Sequence, residues 1–286
     1  MINRTYRDTL FRFIFGNEDH KEWLLSLYNV LNQSDYDNPD ELEITTLNDV
    51  IYIGMKNDVS FIIHDHMVLL EHQSTFSKNI PIRFLLYYSK LLEGYLKQNE
   101  IILYRPTRSM LPSPRFIVFY NGSDQIDSYT IEKLSSHFSD CPKAEIIVEI
   151  FNLNQGNNEM MKEGCEVLKE YCWFIDEINK YRDTIGLDKA VEEVYKNLPK
   201  EFIIYNLLIK HRAEVKGMIL EEFSQETFEK VCYEDGYIDG RIDGRIDTQK
   251  ETALKMKDAR EPIEKVIAYT GLSKEEIQKL FNDSSK

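Results

Sequence analysis

The stretch KNDVSFIIHDHMVLLEHQST, residues 56–75, constrains the fold more than any other in the chain. Two apolar runs flank a short polar break and alternate with polar side chains at period two, the pattern of a β-hairpin. With strands over 58–64 and 67–73 and a turn at Asp65-His66, Ile63 faces Val68, Phe61 faces Leu70 and Val59 faces His72. The opposite face then carries Asp58 against Gln73 and Ser60 against Glu71. A one-residue slip would mix the two sets, so the hydrophobic pattern selects this arrangement. It also puts carboxylates next to Val, Phe, Ile and Leu. Buried carboxylates need a partner, whether a cation, a metal or water.

An aspartate opening one strand, with an acid and a polar residue two apart on its neighbour, suits a divalent cation. Two carboxylates and a backbone carbonyl are hard oxygen ligands for Mg²⁺, with Mn²⁺ as a substitute. The plainer alternative is an edge hairpin whose polar face is solvated. His64, Asp65 and His66 are assigned to the turn, because no further histidine stands at ligand spacing.

With 286 residues, 42% hydrophobic and 12% aromatic, the chain is long enough for one large domain or a medium domain with an appendage. No run of 18 apolar residues occurs and the N-terminus lacks a signal-peptide pattern, so a cytoplasmic protein without a membrane partner is expected. Cys141, Cys165, Cys172 and Cys232 show no CxxC spacing and are expected to be reduced thiols. The net charge of −14 counts against nucleic acid as a partner. Locally the balance reverses: residues 78–115 hold seven basic residues against Glu93 and Glu100, a net +5. On charge alone this is a solvated helix face followed by a basic loop.

Along the chain, residues 5–15 read as a short helix, capped by Thr5 and Asp8, with Leu10, Phe13 and Ile14 as its stripe. A second helix covers 18–32, with Trp23, Leu24, Leu27, Tyr28 and Leu31 on one face. Strand-like runs follow at 42–53 and in the hairpin. A helix at 81–98 aligns Ile82, Leu85, Leu86, Ser89, Leu92 and Leu96. Residues 114–122 and 144–153 read as further strands. Helical patterns near 159–175, 187–197 and 200–231 follow. GYIDGRIDGRID (236–247) repeats with period four and reads best as a weak helical connector. Residues 262–281 are helix-turn-helix in outline, with Gly271 in the turn and Ser273 and Glu276 as a capping box.

The segments NDVSF, EHQST, IPIRFLLYYSKLLEGY and RFIVFYNG, with the GRIDGRID and TGLSKEEIQKL segments of the tail, resemble the Rpn family of recombination-promoting nucleases and transposases. That family belongs to the PD-(D/E)XK nuclease superfamily. The resemblance implies an α/β fold with a mixed central sheet flanked by helices, followed by a helical C-terminal region. It divides the chain into a nuclease-like domain (1–153), a helical region (154–232), the Gly-Ile-Asp connector (233–249) and a helix-turn-helix-like tail (250–286).

The implied function is that of a Mg²⁺-dependent endonuclease acting on DNA in recombination or transposition. Asp58 takes the position of the metal-binding aspartate and Glu71 that of the second-strand acid. Gln73 stands where lysine is usual; its amide orients water but supplies no charge. Asp8 is either a counterpart of the helical acid found in many members or simply the capping residue. Arg83 either supplies the missing cation or forms a structural salt bridge. A non-catalytic regulatory or binding protein derived from a mobile element is the alternative, and the C-terminal helices are the candidate surface for a homo-oligomer.

Overall fold

The structure, a computed structural model, describes residues 10–46, 58–140, 143–221, 248–250, 252–259, 261–272, 277 and 280–281. Thr5, Asp8, the strand reading over 47–53, Cys141, Cys232, the repeat at 236–247, Ser273 and Glu276 lie outside the described residues.

Six strands form one mixed sheet: β1 (Leu42–Ile44), β2 (Val59–Ile63), β3 (His66–Gln73), β4 (Ser113–Tyr120), β5 (Tyr129–Lys133) and β6 (Ile147–Asn152). Their order is β1-β2-β3-β4-β6-β5. The β3–β4 and β4–β6 pairs are parallel, while β1–β2, β2–β3 and β5–β6 are antiparallel.

The β2–β3 hairpin forms, but its register differs from the sequence reading by two residues. Val59 pairs with Leu70, Phe61 with Val68 and Ile63 with His66. The turn is therefore His64-Asp65, not Asp65-His66, and His64 adopts a left-handed φ of 51°. His66 becomes the first residue of β3, with its Nδ1 3.0 Å from the Tyr28 hydroxyl. A shift of two residues leaves every side chain on its expected face, because the pleat repeats with period two.

Both faces of the sheet are covered. Val59, Phe61, Ile63, Val68, Leu70, Ile117 and Phe119 form one core with helices α1 (Leu10–Phe15), α2 (Lys21–Asn32), α5 (Glu166–Ile185), α6 (Leu187–Asn197) and α7 (Tyr205–Lys210). The short helix α4 (Glu159–Gly164) leads into α5. On the other face, Met67, Leu69, Phe116, Val118, Val148 and Ile150 meet α3 (Ile80–Gln98). The face that the sequence reading made polar is thus apolar along most of its length, and only its end carries Asp58, Glu71 and Gln73.

Helix α3 also presents a different side from the one predicted. Ile80, Phe84, Tyr87 and Leu91 are buried, whereas Ile82 and Leu85 are each 38% exposed. The aromatic rings decide the orientation, since each buries more area than a leucine. Phe84 packs on Phe116 with centroids 5.3 Å apart.

The chain divides into two compact units, 1–223 and 224–286. The first holds the sheet and the helices through 221 around shared cores. In the second, helix α8 (Ile263–Thr270) ends at Gly271, whose φ of 71° provides the left-handed cap expected of the turn. Ala253, Val266, Leu272 and Ile277 form a small core there. Among the described residues no helix is long and apolar enough to cross a membrane.

Candidate active site

Three of the residues singled out in the hairpin meet at the C-terminal end of β3, and α3 adds Arg83. One step beyond the Val59–Leu70 pair, the register sets Asp58 level with Glu71. Asp58 is half-buried, and its Oδ2 accepts a hydrogen bond of 2.7 Å from the backbone N–H of His72. That bond holds the carboxylate at the mouth of the strand pair.

Glu71 is 1% exposed. Its Oε2 accepts from Arg83 Nη2 at 2.6 Å and from the Gln73 amide at 3.3 Å. Its Oε1 is buried and has no hydrogen-bond partner among the described residues. Burial pushes the carboxyl up to about 7; the Arg83 guanidinium opposes this and the charge of Asp58 adds to it. A buried acceptor left unmade costs roughly 1–3 kcal/mol, and more for a charged group. Oε1 is therefore the atom of this site most in need of a ligand.

Arg83 lies one turn into α3, whose start follows β3 closely enough for the guanidinium to reach back to Glu71. Its Nε and Nη2 are each 3.3 Å from the hydroxyl of Tyr87. Burial, and then the Glu71 carboxylate, raise the Tyr87 phenol far above its usual range, so it stays protonated. Tyr87 was not singled out in the sequence. The available signal was its i, i+4 spacing from Arg83, which stacks the two side chains on one helix face.

The strand end is braced from β4. The backbone N–H of Asn121 donates to Gln73 O at 3.1 Å. A Cβ on Gly122 would lie 1.7 Å from the Ser74 carbonyl oxygen, so only glycine permits this close approach. Asp124 Oδ2 accepts from Phe76 N–H at 3.3 Å. The loop after β4 thus positions the segment that carries Gln73.

Ser60, read as part of the polar face, is tied to the chain after β1. Its backbone N–H donates to Thr46 Oγ1 and its side chain accepts from Thr45 Oγ1. It does not join the cluster. Among the described residues no group of three or more His, Cys, Asp or Glu is arranged to hold a metal ion. The acidic donor set of the site is the pair Asp58 and Glu71, with the Gln73 amide beside it. No protein-family model, curated protein or solved structure matches this chain.

Proposed function

We propose that the chain is a Mg²⁺-dependent DNA endonuclease of the PD-(D/E)XK type, acting in the cytoplasm in recombination or transposition. The observation that carries this reading is the Glu71 carboxylate, buried, opposite Asp58, with Oε1 unpartnered among the described residues. Two carboxylates are hard oxygen donors that fit Mg²⁺ or Mn²⁺. The bound ion would polarise the scissile phosphate and acidify its water. Asp58 and Glu71 would hold the ion, and Gln73 would orient the attacking water. Arg83, fixed by Tyr87, supplies the positive charge that glutamine lacks.

The 2.6 Å pair between Arg83 and Glu71 favours a second reading, in which the cluster is a structural ion pair in a non-catalytic binding protein. Plasmid nicking and Mn²⁺ titration calorimetry separate the two. The nuclease reading requires nicking that depends on Mg²⁺ and is lost in Glu71→Ala. It also requires Mn²⁺ binding that weakens at least about tenfold in Asp58→Ala. A folded protein that binds no divalent cation and nicks no plasmid is the structural ion pair.

A further inference from the structure

The outer edge of the sheet at β5 holds a self-complementary pairing surface. In the β5–β6 ladder, Leu134 N–H donates to Ile146 O and Asn152 N–H to Ser128 O. These bonds place the even-numbered residues of β5 in hydrogen-bonded pairs with β6. Tyr129, Ile131 and Lys133 therefore turn their backbone N–H and C=O groups away from β6. β5 ends the strand order, and among the described residues no bond to those groups is present. On the same face, Tyr129 is 45%, Ile131 43% and neighbouring Ile147 49% exposed.

From this edge we infer that β5 pairs antiparallel with β5 of a second copy of the chain, with Ile131 on the two-fold axis. The bonding parity allows only odd residues to pair with odd ones. The register that sets Ile131 against its own copy uses all three outward-facing residues of each strand. It places Tyr129 opposite Lys133, so ammonium meets ring and like charges are never directly opposed. Thr130 then faces Glu132 on the other side of the sheet. A two-fold contact must be self-complementary, and this register satisfies that for hydrogen bonds, charge and apolar contact together. The exposed side chains of Tyr129, Ile131 and Ile147 extend into one face across the axis. An edge of five residues makes a small interface, so dissociation in the micromolar range is expected.

Sedimentation velocity on the full chain over about 1–200 µM tests the pairing. The wild type should shift from monomer to dimer with concentration. Ile131→Lys, which sets two ammonium groups on the axis, should weaken dimerisation at least about tenfold. Ile131→Pro removes an N–H that faces away from β6, so the fold should tolerate it while the dimer is lost. Circular dichroism on both variants confirms that the fold is kept. A wild type that stays monomeric throughout overturns the proposal. So does a dimer that persists in both variants with unchanged affinity, which would place the interface elsewhere, as in the C-terminal helices. If one variant fails to fold, the other decides.

Discussion

Glu71 should leave a measurable mark on the pH dependence of stability. Its carboxyl titrates near 7 in the folded protein against a reference of 4.5. Between those values the folded state holds a proton that the unfolded state has released. Stability from this group is therefore complete below about pH 4.5, falls as pH rises through the window, and is flat above about 7. Each pH unit of the window is worth about 1.4 kcal/mol, so the fall amounts to about 3 kcal/mol. Glu71→Gln removes the titration and keeps the shape and the acceptor for Arg83. Any cost of leaving Arg83 without a carboxylate is independent of pH across this range and only offsets the curve.

The assay is urea unfolding of both proteins from pH 4.5 to 8 in the presence of a chelator. Subtracting the two profiles cancels every shared group that is not coupled to Glu71. Asp58 is coupled to it, but an aspartate ordinarily titrates mainly below this range. The difference, wild type minus variant, should drop by about 3 kcal/mol across the series. A difference constant to within about 0.5 kcal/mol would mean that Glu71 titrates alike in both states, and the burial argument would be wrong.

Two substitutions away from the carboxylates are expected to cost stability for different reasons. Gly122→Ala forces a Cβ onto the Ser74 carbonyl oxygen, backbone against backbone; a loss of at least about 3 kcal/mol should appear in urea unfolding, and a loss under about 0.5 kcal/mol would refute the close approach. Glu170, buried in α5, accepts the backbone N–H groups of Ile203 at 2.8 Å and Ile204 at 3.1 Å just before α7. Glu170→Ala strands both donors and should cost roughly 3 kcal/mol, with Glu170→Gln intermediate because its one oxygen still accepts; equal, small losses in both would show that the loop finds other acceptors.

What could be read in the sequence followed what leaves a period. The hairpin faces were legible because a buried strand pair writes its pattern every second residue. The position of the turn was not, since a register shifted by two writes the same pattern, and His64 gives no glycine-like sign of its left-handed φ. Strand β5 was missed because its side chains are exposed or half-buried along its whole length, so no apolar alternation marks it. On α3, counting leucines chose the wrong side; the rings of Phe84 and Tyr87 outweigh them. The meeting of Asp58, Glu71 and Gln73 followed from strand parity alone, but the contact from Arg83 needed the connection between β3 and α3, which periodicity does not encode.

The same energetics that make Glu71 testable also bear on why it is there. A cost of about 3 kcal/mol is a large part of the 5–15 kcal/mol that holds an ordinary domain together. Replacing a buried ion pair with apolar residues of similar volume is often neutral or stabilising. A purely structural role would be met most simply by a carboxylate whose two oxygens are both bonded, as in Glu170, where each oxygen takes a backbone N–H. Glu71 differs: Arg83 and Gln73 both bond Oε2 and the Tyr87 hydroxyl also interacts with the carboxylate, while Oε1 is buried with no hydrogen-bond partner within bonding distance among the described residues. The structural account explains one oxygen and leaves the costly one unexplained. A cation shared with Asp58 would explain both, because it would satisfy Oε1 and draw the carboxyl pKa back down. Local rules broken at a definite energetic cost mark functional sites more often than errors of packing. In this fold the breach falls on the carboxylate that the proposed chemistry requires.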